Sequence, residues 1–307
     1  MDFWVAALLL SAVPSIDTPS GPREASSNWC APCHVMQHET WRASRHAVAA
    51  TNRLYTTNHR QWPMRWCDEC HQPLALEEGV GCASCHVKER RILTSAPPTP
   101  RGLEAHAERH EPALSTEEAC ARCHQFNFPI SDAEPVKFST LPMQNTVAEW
   151  RAWGASKPCQ ACHLNQGSHA MTGSHDLARL RKALTAQVTR RGADVELRLE
   201  SHRAGHAVPT GDPFRALRLE LFDAEDTLVL QRSFGHHARG ADGGMEDQAV
   251  PPSLDGGVPS RRFALTAPEA TRYRLVFVYV GPRTAAAVGS EAEVELQAGP
   301  ITEEPLP

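Results

Sequence analysis

All ten cysteines of this 307-residue chain fall into five pairs of one spacing, and a histidine follows the second cysteine every time. The copies are Cys30-Ala-Pro-Cys33-His34, Cys67-Asp-Glu-Cys70-His71, Cys82-Ala-Ser-Cys85-His86, Cys120-Ala-Arg-Cys123-His124 and Cys159-Gln-Ala-Cys162-His163. Two thiols so spaced on one helical turn can form thioethers with both vinyl groups of a porphyrin, and the adjacent imidazole then meets the iron from its proximal side. C-x-x-C-H is the attachment sequence for c-type haem. Structural disulfides would give no reason for a histidine after every pair. Zinc ribbons use such pairs two at a time, and five is odd. A thioredoxin-like redox motif would occur once. The sequence therefore predicts five covalent haem c groups, with iron bound by His34, His71, His86, His124 and His163.

Each iron has a second face, and eleven further histidines are available to close it. His206 stands in Gly205-His206-Ala207-Val208-Pro209-Thr210-Gly211, where Gly and Pro restrict the backbone and could aim an imidazole. His169 and His175 follow the fifth motif closely, just before a helix carrying Leu177, Leu180 and Leu184. His106 and His110 sit one turn apart on an expected helix, so one can ligate while the other faces solvent or a propionate. His46 belongs to a helix expected over 40–50, and His59 is held in reserve. The distal set is thus His46, His106, His169, His175 and His206, with His59 and His110 as alternatives. His38, His202, His236 and His237 read as structural or surface residues. Met36, Met64, Met143 and Met171 read as core packing, so bis-histidine ligation predominates and implies lower potentials than His/Met ligation.

Residues 3–13 form a short apolar run followed by a Pro/Ser-rich stretch, the pattern of a secretory signal peptide, though without a basic residue before it. This points to a periplasmic or extracellular location. No apolar run is long enough to span a membrane. A formal net charge of -5 does not suggest nucleic acid as a partner. The motifs start 37, 15, 38 and 39 residues apart, so the second and third haems are expected to pack as one tight unit. Arg42, Arg45, Arg60, Arg65, Arg90, Arg91 and Arg122 are candidates to pair with haem propionates. Two segments, Ser115-x-x-Glu118 and Thr146-x-x-Glu149, read as capping boxes.

After Leu184 the period changes. Val195, Leu197 and Leu199 alternate with charged residues, as do Leu217, Leu219 and Leu221, and further strands are expected at 228–233, 262–265, 273–280 and 292–297, with a hairpin turn at 223–226. The expected architecture is α+β. A signal and linker cover 1–26, a mostly helical and loop pentahaem domain wrapped round its haems covers 27–185, and a small β-sandwich covers 186–300. Asp242, Glu246, Asp247 and Asp255 do not match a calcium loop and read as solvated acids.

Over roughly 28–215 the chain resembles the multihaem c-type cytochromes, the superfamily that includes hydroxylamine oxidoreductase and its multihaem electron acceptor. Beyond the haem motifs, the resemblance rests on Trp41-x-x-Ser44-x-His46-Ala47, Gly79-Val80-x-Cys82, Gln144-Asn145-Thr146-x-x-Glu149-Trp150 and Gly205-His206-x-x-Pro209-Thr210-Gly211. The first of these resembles a distal-ligand helix and implies ligation by His46. The resemblance implies an electron carrier exchanging electrons with redox partner proteins. The alternative it allows is an oxidoreductase acting on a small nitrogen or sulfur compound at a five-coordinate haem. A lysine-ligated active haem is not expected, since no C-x-x-C-K occurs. The C-terminal β-region could serve docking or self-association.

Overall fold

The computed structural model describes residues 26–76, 78–133, 135–238, 245–251 and 260–303. The expected export segment at 3–13 lies outside the described residues, as do Asp242 and Asp255.

The first part of the chain is built from short helices: α1 (Val35–Arg42), α2 (Arg53–Gln61), α3 (Arg65–His71), α4 (Cys82–His86), α5 (Pro100–Ala105), α6 (Glu118–His124), α7 (Thr146–Ala152), α8 (Cys159–His163) and α9 (Leu177–Ala183). Four of them, α3, α4, α6 and α8, end on the histidine of a C-x-x-C-H motif. One helical turn is what brings both cysteines to the same side of the backbone. In the first motif the His34 amide donates to the Cys30 carbonyl at 2.9 Å, and α1 begins immediately after.

Between these helices lie two small sheets. Strands β1 (Val87–Lys88), β2 (Arg91–Thr94) and β3 (Glu108–His110) form one, while β4 (Phe126–Ser131) and β5 (Lys137–Gln144) form the other. The region is therefore mixed rather than mostly helical, and among the described residues the longest helix, α2, has 9 residues.

Several local expectations change with this. The helix expected over 40–50 stops at Arg42, and His46 sits in a series of turns. Gly79 closes that region, because a Cβ there would lie 2.4 Å from the His46 carbonyl oxygen. His106 caps α5 while His110 ends β3, so the two do not share a helix. Neither capping box forms. Helix α6 starts after Glu117 without a side-chain cap, and the Glu149 carboxylate reaches away from its own helix to Ala207 and Thr210.

From Leu184 onward two antiparallel sheets face each other. One has the order β11-β7-β6-β14 and the other β10-β9-β8-β12-β13. Their strands are β6 (Leu184–Arg191), β7 (Asp194–Ser201), β8 (Ala216–Phe222), β9 (Leu228–Ala238), β10 (Met245–Asp247), β11 (Ser260–Thr266), β12 (Arg272–Val278), β13 (Glu293–Pro300) and β14 (Thr302–Glu303), with β14 added parallel to β6. The alternation read from the sequence sets the register. Val195, Leu197 and Leu199 of β7 point inward against Leu217, Leu219 and Leu221 of β8, joined by Phe234, Leu275 and Phe277 in one buried core. Burying a Leu or Phe side chain fully contributes about 1.5–3 kcal/mol each, so this core is a main source of stability in the region. A tenth helix, α10 (Pro282–Val288), packs on α2, and Arg53 donates to the Val288 carbonyl at 3.4 Å.

Candidate functional site

All ten motif cysteines and all five motif histidines line a single cavity of about 2640 Å³. Ordinary small-molecule sites occupy roughly 300–1,000 Å³, so this is room for several large groups rather than one.

Three of the five motif histidines are held in the same way. In the third, second and fifth motifs Nδ1 is tied to a main-chain carbonyl: His86 to Leu93 at 3.0 Å, His71 to Ala49 at 3.1 Å and His163 to Thr172 at 2.9 Å. A histidine whose Nδ1–H donates to a carbonyl keeps Nε2 deprotonated and fixed in direction, as a metal ligand requires. Burial lowers the pKa of His124 and of His163 to about 4, aided by neighbouring histidines, and also lowers His46, His71 and His86. These imidazoles are neutral at neutral pH, the form that can bind iron. Arg179 supports the fifth site from behind, donating to Thr172 Oγ1 and to the Cys162 carbonyl, both at 2.8 Å.

Four of the five motif histidines face a second histidine at nearly one separation. Ring centres are 6.4 Å apart for His34 and His106, 6.3 Å for His124 and His46, 6.2 Å for His86 and His169, and 6.3 Å for His163 and His206. Direct stacking would bring rings closer. Two imidazoles bound to opposite faces of one metal, with metal–nitrogen distances of about 2 Å, place their centres roughly 6.3 Å apart. Two of the facing rings are anchored too, His169 Nδ1 to the Gly167 carbonyl and His206 Nδ1 to the Ala207 carbonyl, both at 3.0 Å, while His106 Nδ1 lies 3.4 Å from Glu108 without a hydrogen bond. His46 Nδ1 lies against the Met171 sulfur, which places that methionine beside an imidazole rather than in a packed core.

His71 is different. Among the described residues no histidine ring faces it at this separation; instead Tyr55 stacks on it at 4.0 Å, its hydroxyl bonded to Asp68. His59 packs against Tyr55, with Nε2 3.3 Å from Asp68. His175, expected as a distal residue, lines the cavity but stacks on Tyr279 at 4.3 Å instead of facing a motif histidine. His110, His202 and His236 lie outside the cavity lining, whereas His38 is in it, buried, with Nε2 unpartnered.

Thiols mark which motifs are neighbours. The ten thiols are free, and Cys30 is hydrogen-bonded to Cys82, Cys120 to Cys159 and Cys70 to Cys123; the first two contacts draw the pKa of Cys82 and of Cys159 down to about 7. Cys85 also lies near Cys123. The first motif thus adjoins the third, and the fourth adjoins the second, third and fifth. No thiol pair joins the second motif to the third, the two closest in sequence.

The structure is similar to that of a penta-heme cytochrome c552 from Thermochromatium tepidum, with a TM-score of 0.69 and 21% identity, covering 90% of this chain and 98% of that one. The two chains share a fold. No protein-family model matches the sequence, and no curated protein does at the sequence level. Within this fold lie five cysteine pairs, four of them on short helices, each followed by a histidine inside one cavity. Arginines are available there as well. Of those picked from the sequence, Arg45 and Arg122 line the cavity, joined by Arg53, Arg101, Arg179, Arg203 and Arg215, which are remote from the motifs in sequence. Among the described residues no helix is long and apolar enough to cross a membrane.

Proposed function

We propose that the chain is an exported c-type cytochrome that binds five haems covalently and transfers electrons between redox partner proteins. The observation carrying this reading is the set of four histidine pairs at 6.2–6.4 Å, each pairing a C-x-x-C-H histidine with one far away in sequence. The ten motif cysteines supply the thioethers, and His34, His71, His86, His124 and His163 the proximal nitrogens. His106, His46, His169 and His206 close the opposite faces at the first, fourth, third and fifth motifs respectively. Haem bound in these places supplies one-electron exchange between ferric and ferrous iron. The chain's part is to hold each pair of imidazoles facing one another, and to keep neighbouring sites close. The thiol contacts order the sites as first, third, fourth, with the second and fifth both adjoining the fourth, so the route branches and does not follow sequence order. Arg45, Arg122 and Arg215 are placed to pair with propionates.

A second reading attaches to the second motif alone. His71 has Tyr55 against its ring and no facing histidine among the described residues, which favours a five-coordinate site open to a small nitrogen or sulfur compound. His59 is the reserve ligand that would close it.

Intact mass of the purified protein tests the central claim: five haem increments are expected, and fewer would overturn it. Spin-state counting by electron paramagnetic resonance separates the two readings. Four low-spin haems and one high-spin haem support an open second site, and five low-spin haems leave a carrier alone.

A further inference from the structure

We infer that Glu149 is a positioning residue for His206, clamping the loop that carries this histidine onto the helix leading to the fifth motif. The inference rests on the ligand reading of His206 proposed above and adds to it a residue outside the cavity's ligand set.

Two segments that are far apart in sequence meet here. Glu149 lies on α7, and its Oε2 accepts from the Ala207 amide at 3.1 Å and from Thr210 Oγ1 at 2.6 Å. Thr146, one turn earlier on the same helix, contacts Thr210 Oγ1 at 2.9 Å through its own hydroxyl. The other carboxylate oxygen, Oε1, faces His236 Nε2 of β9 at 3.3 Å, and His236 Nδ1 faces Asp247 of β10 at 3.4 Å. The carboxylate is nearly buried, its side chain 9% exposed. A buried charge is costly unless hydrogen bonds satisfy it, so its donors are held firmly in return.

The Ala207 amide is the decisive contact. It belongs to the peptide that follows His206, and the His206 ring bonds back to the Ala207 carbonyl at 3.0 Å. Glu149 and the ring therefore grip the same residue. On its other side the loop is pinned by Val208 and Val250, which exchange two main-chain hydrogen bonds of 2.9 Å. Trp153, one turn beyond Glu149, packs against Gly205, where a Cβ would come within 3.0 Å of the indole. The β-strand side fixes the loop's base, and Glu149 fixes the turn that presents the imidazole.

The test uses the full-length, haem-loaded protein, with H206A as reference and cyanide as an added ligand. H206A should open one haem beyond any open in the wild type; if it leaves the spectrum unchanged, the ligand reading itself fails and this inference with it. E149A should loosen the same haem, speeding cyanide binding there by about 10–100-fold, the usual effect of losing a partner behind a metal ligand. The double variant E149A/H206A should open no haem beyond the one opened by H206A. E149Q keeps an acceptor of the same length and should restore wild-type ligation. Should E149A fail to load haem, E149D decides, because it retains the charge but withdraws it by one methylene and should accelerate cyanide in the same way. Wild-type cyanide rates in E149A, or in E149D where that variant decides, alongside an altered H206A, would overturn the positioning role while leaving His206 as ligand.

Discussion

His163 and His206 face one another with ring centres 6.3 Å apart and planes inclined by only 14°, although one ends a short helix and the other sits in a loop between β-strands. The fifth site is thus assembled from both parts of the chain, and its ligand geometry depends on how the β-region docks.

The facing pairs divide neighbouring histidines sharply. H106A and H169A should each convert one haem from low to high spin, because His106 faces His34 and His169 faces His86. H110A and H175A should not, since His110 is exposed on β3 and His175 stacks on Tyr279. Electron paramagnetic resonance of the four ferric variants checks this, and a new high-spin signal in H175A would place that residue back among the ligands.

Leu219 is wholly buried between the two β-sheets. L219A should destabilise the β-region by about 2–5 kcal/mol through lost transfer energy and a residual cavity. Denaturant midpoints followed by circular dichroism measure it, while the four proximal and distal sites remote from β8 should retain their spectra.

On the outer face of the same sheet Glu220 is buried between Arg218 and Arg274, which donate through their Nε atoms at 2.8 and 2.7 Å. E220Q keeps the shape but removes the charge. Since hydrogen bonds to charged groups contribute about 1.5–3 kcal/mol, a loss of that order is expected, and a denaturant midpoint equal to wild type would show that solvent replaces it.

His236 gives the clamp a dependence on pH. Burial acts to lower its pKa, but donation of its ring N–H to the Glu149 carboxylate and the charges of Glu149 and Asp247 outweigh it and raise the pKa above 6.5. A group whose pKa is raised by folding contributes stability fully below its unfolded pKa, and that contribution is lost as pH rises through the folded value. Wild-type stability should therefore fall relative to H236F as pH climbs above 6.5, and parallel curves would remove His236 from the account.

The cysteine motifs are legible because all ten cysteines repeat one spacing, with a histidine after every pair. His46, His106, His169 and His206, four of the five expected distal residues, each have a motif histidine opposite. His175 stacks instead on Tyr279, which lies just past the end of β12, and no local pattern in the sequence connects the two. Strand alternation revealed the β-region, where one sheet face is buried. The small sheets did not show, since β4 and β5 pair with repeated register shifts around Pro129 and Pro142 and so lack a regular period. Glu149 fitted a capping box by spacing, yet the loop it holds outcompetes its own helix amides.

Each facing pair also joins distant stretches of chain. If iron links His34 to His106, His46 to His124, His86 to His169 and His163 to His206, each of those four haems closes a long loop at both ends, by thioethers on one side and a coordinate bond on the other. Such closures restrict the unfolded ensemble much as disulfides do. The cofactors would then serve as the tether that lets helices of nine residues or fewer hold a fixed shape, and maturation would set the protein's rigidity as well as its redox capacity.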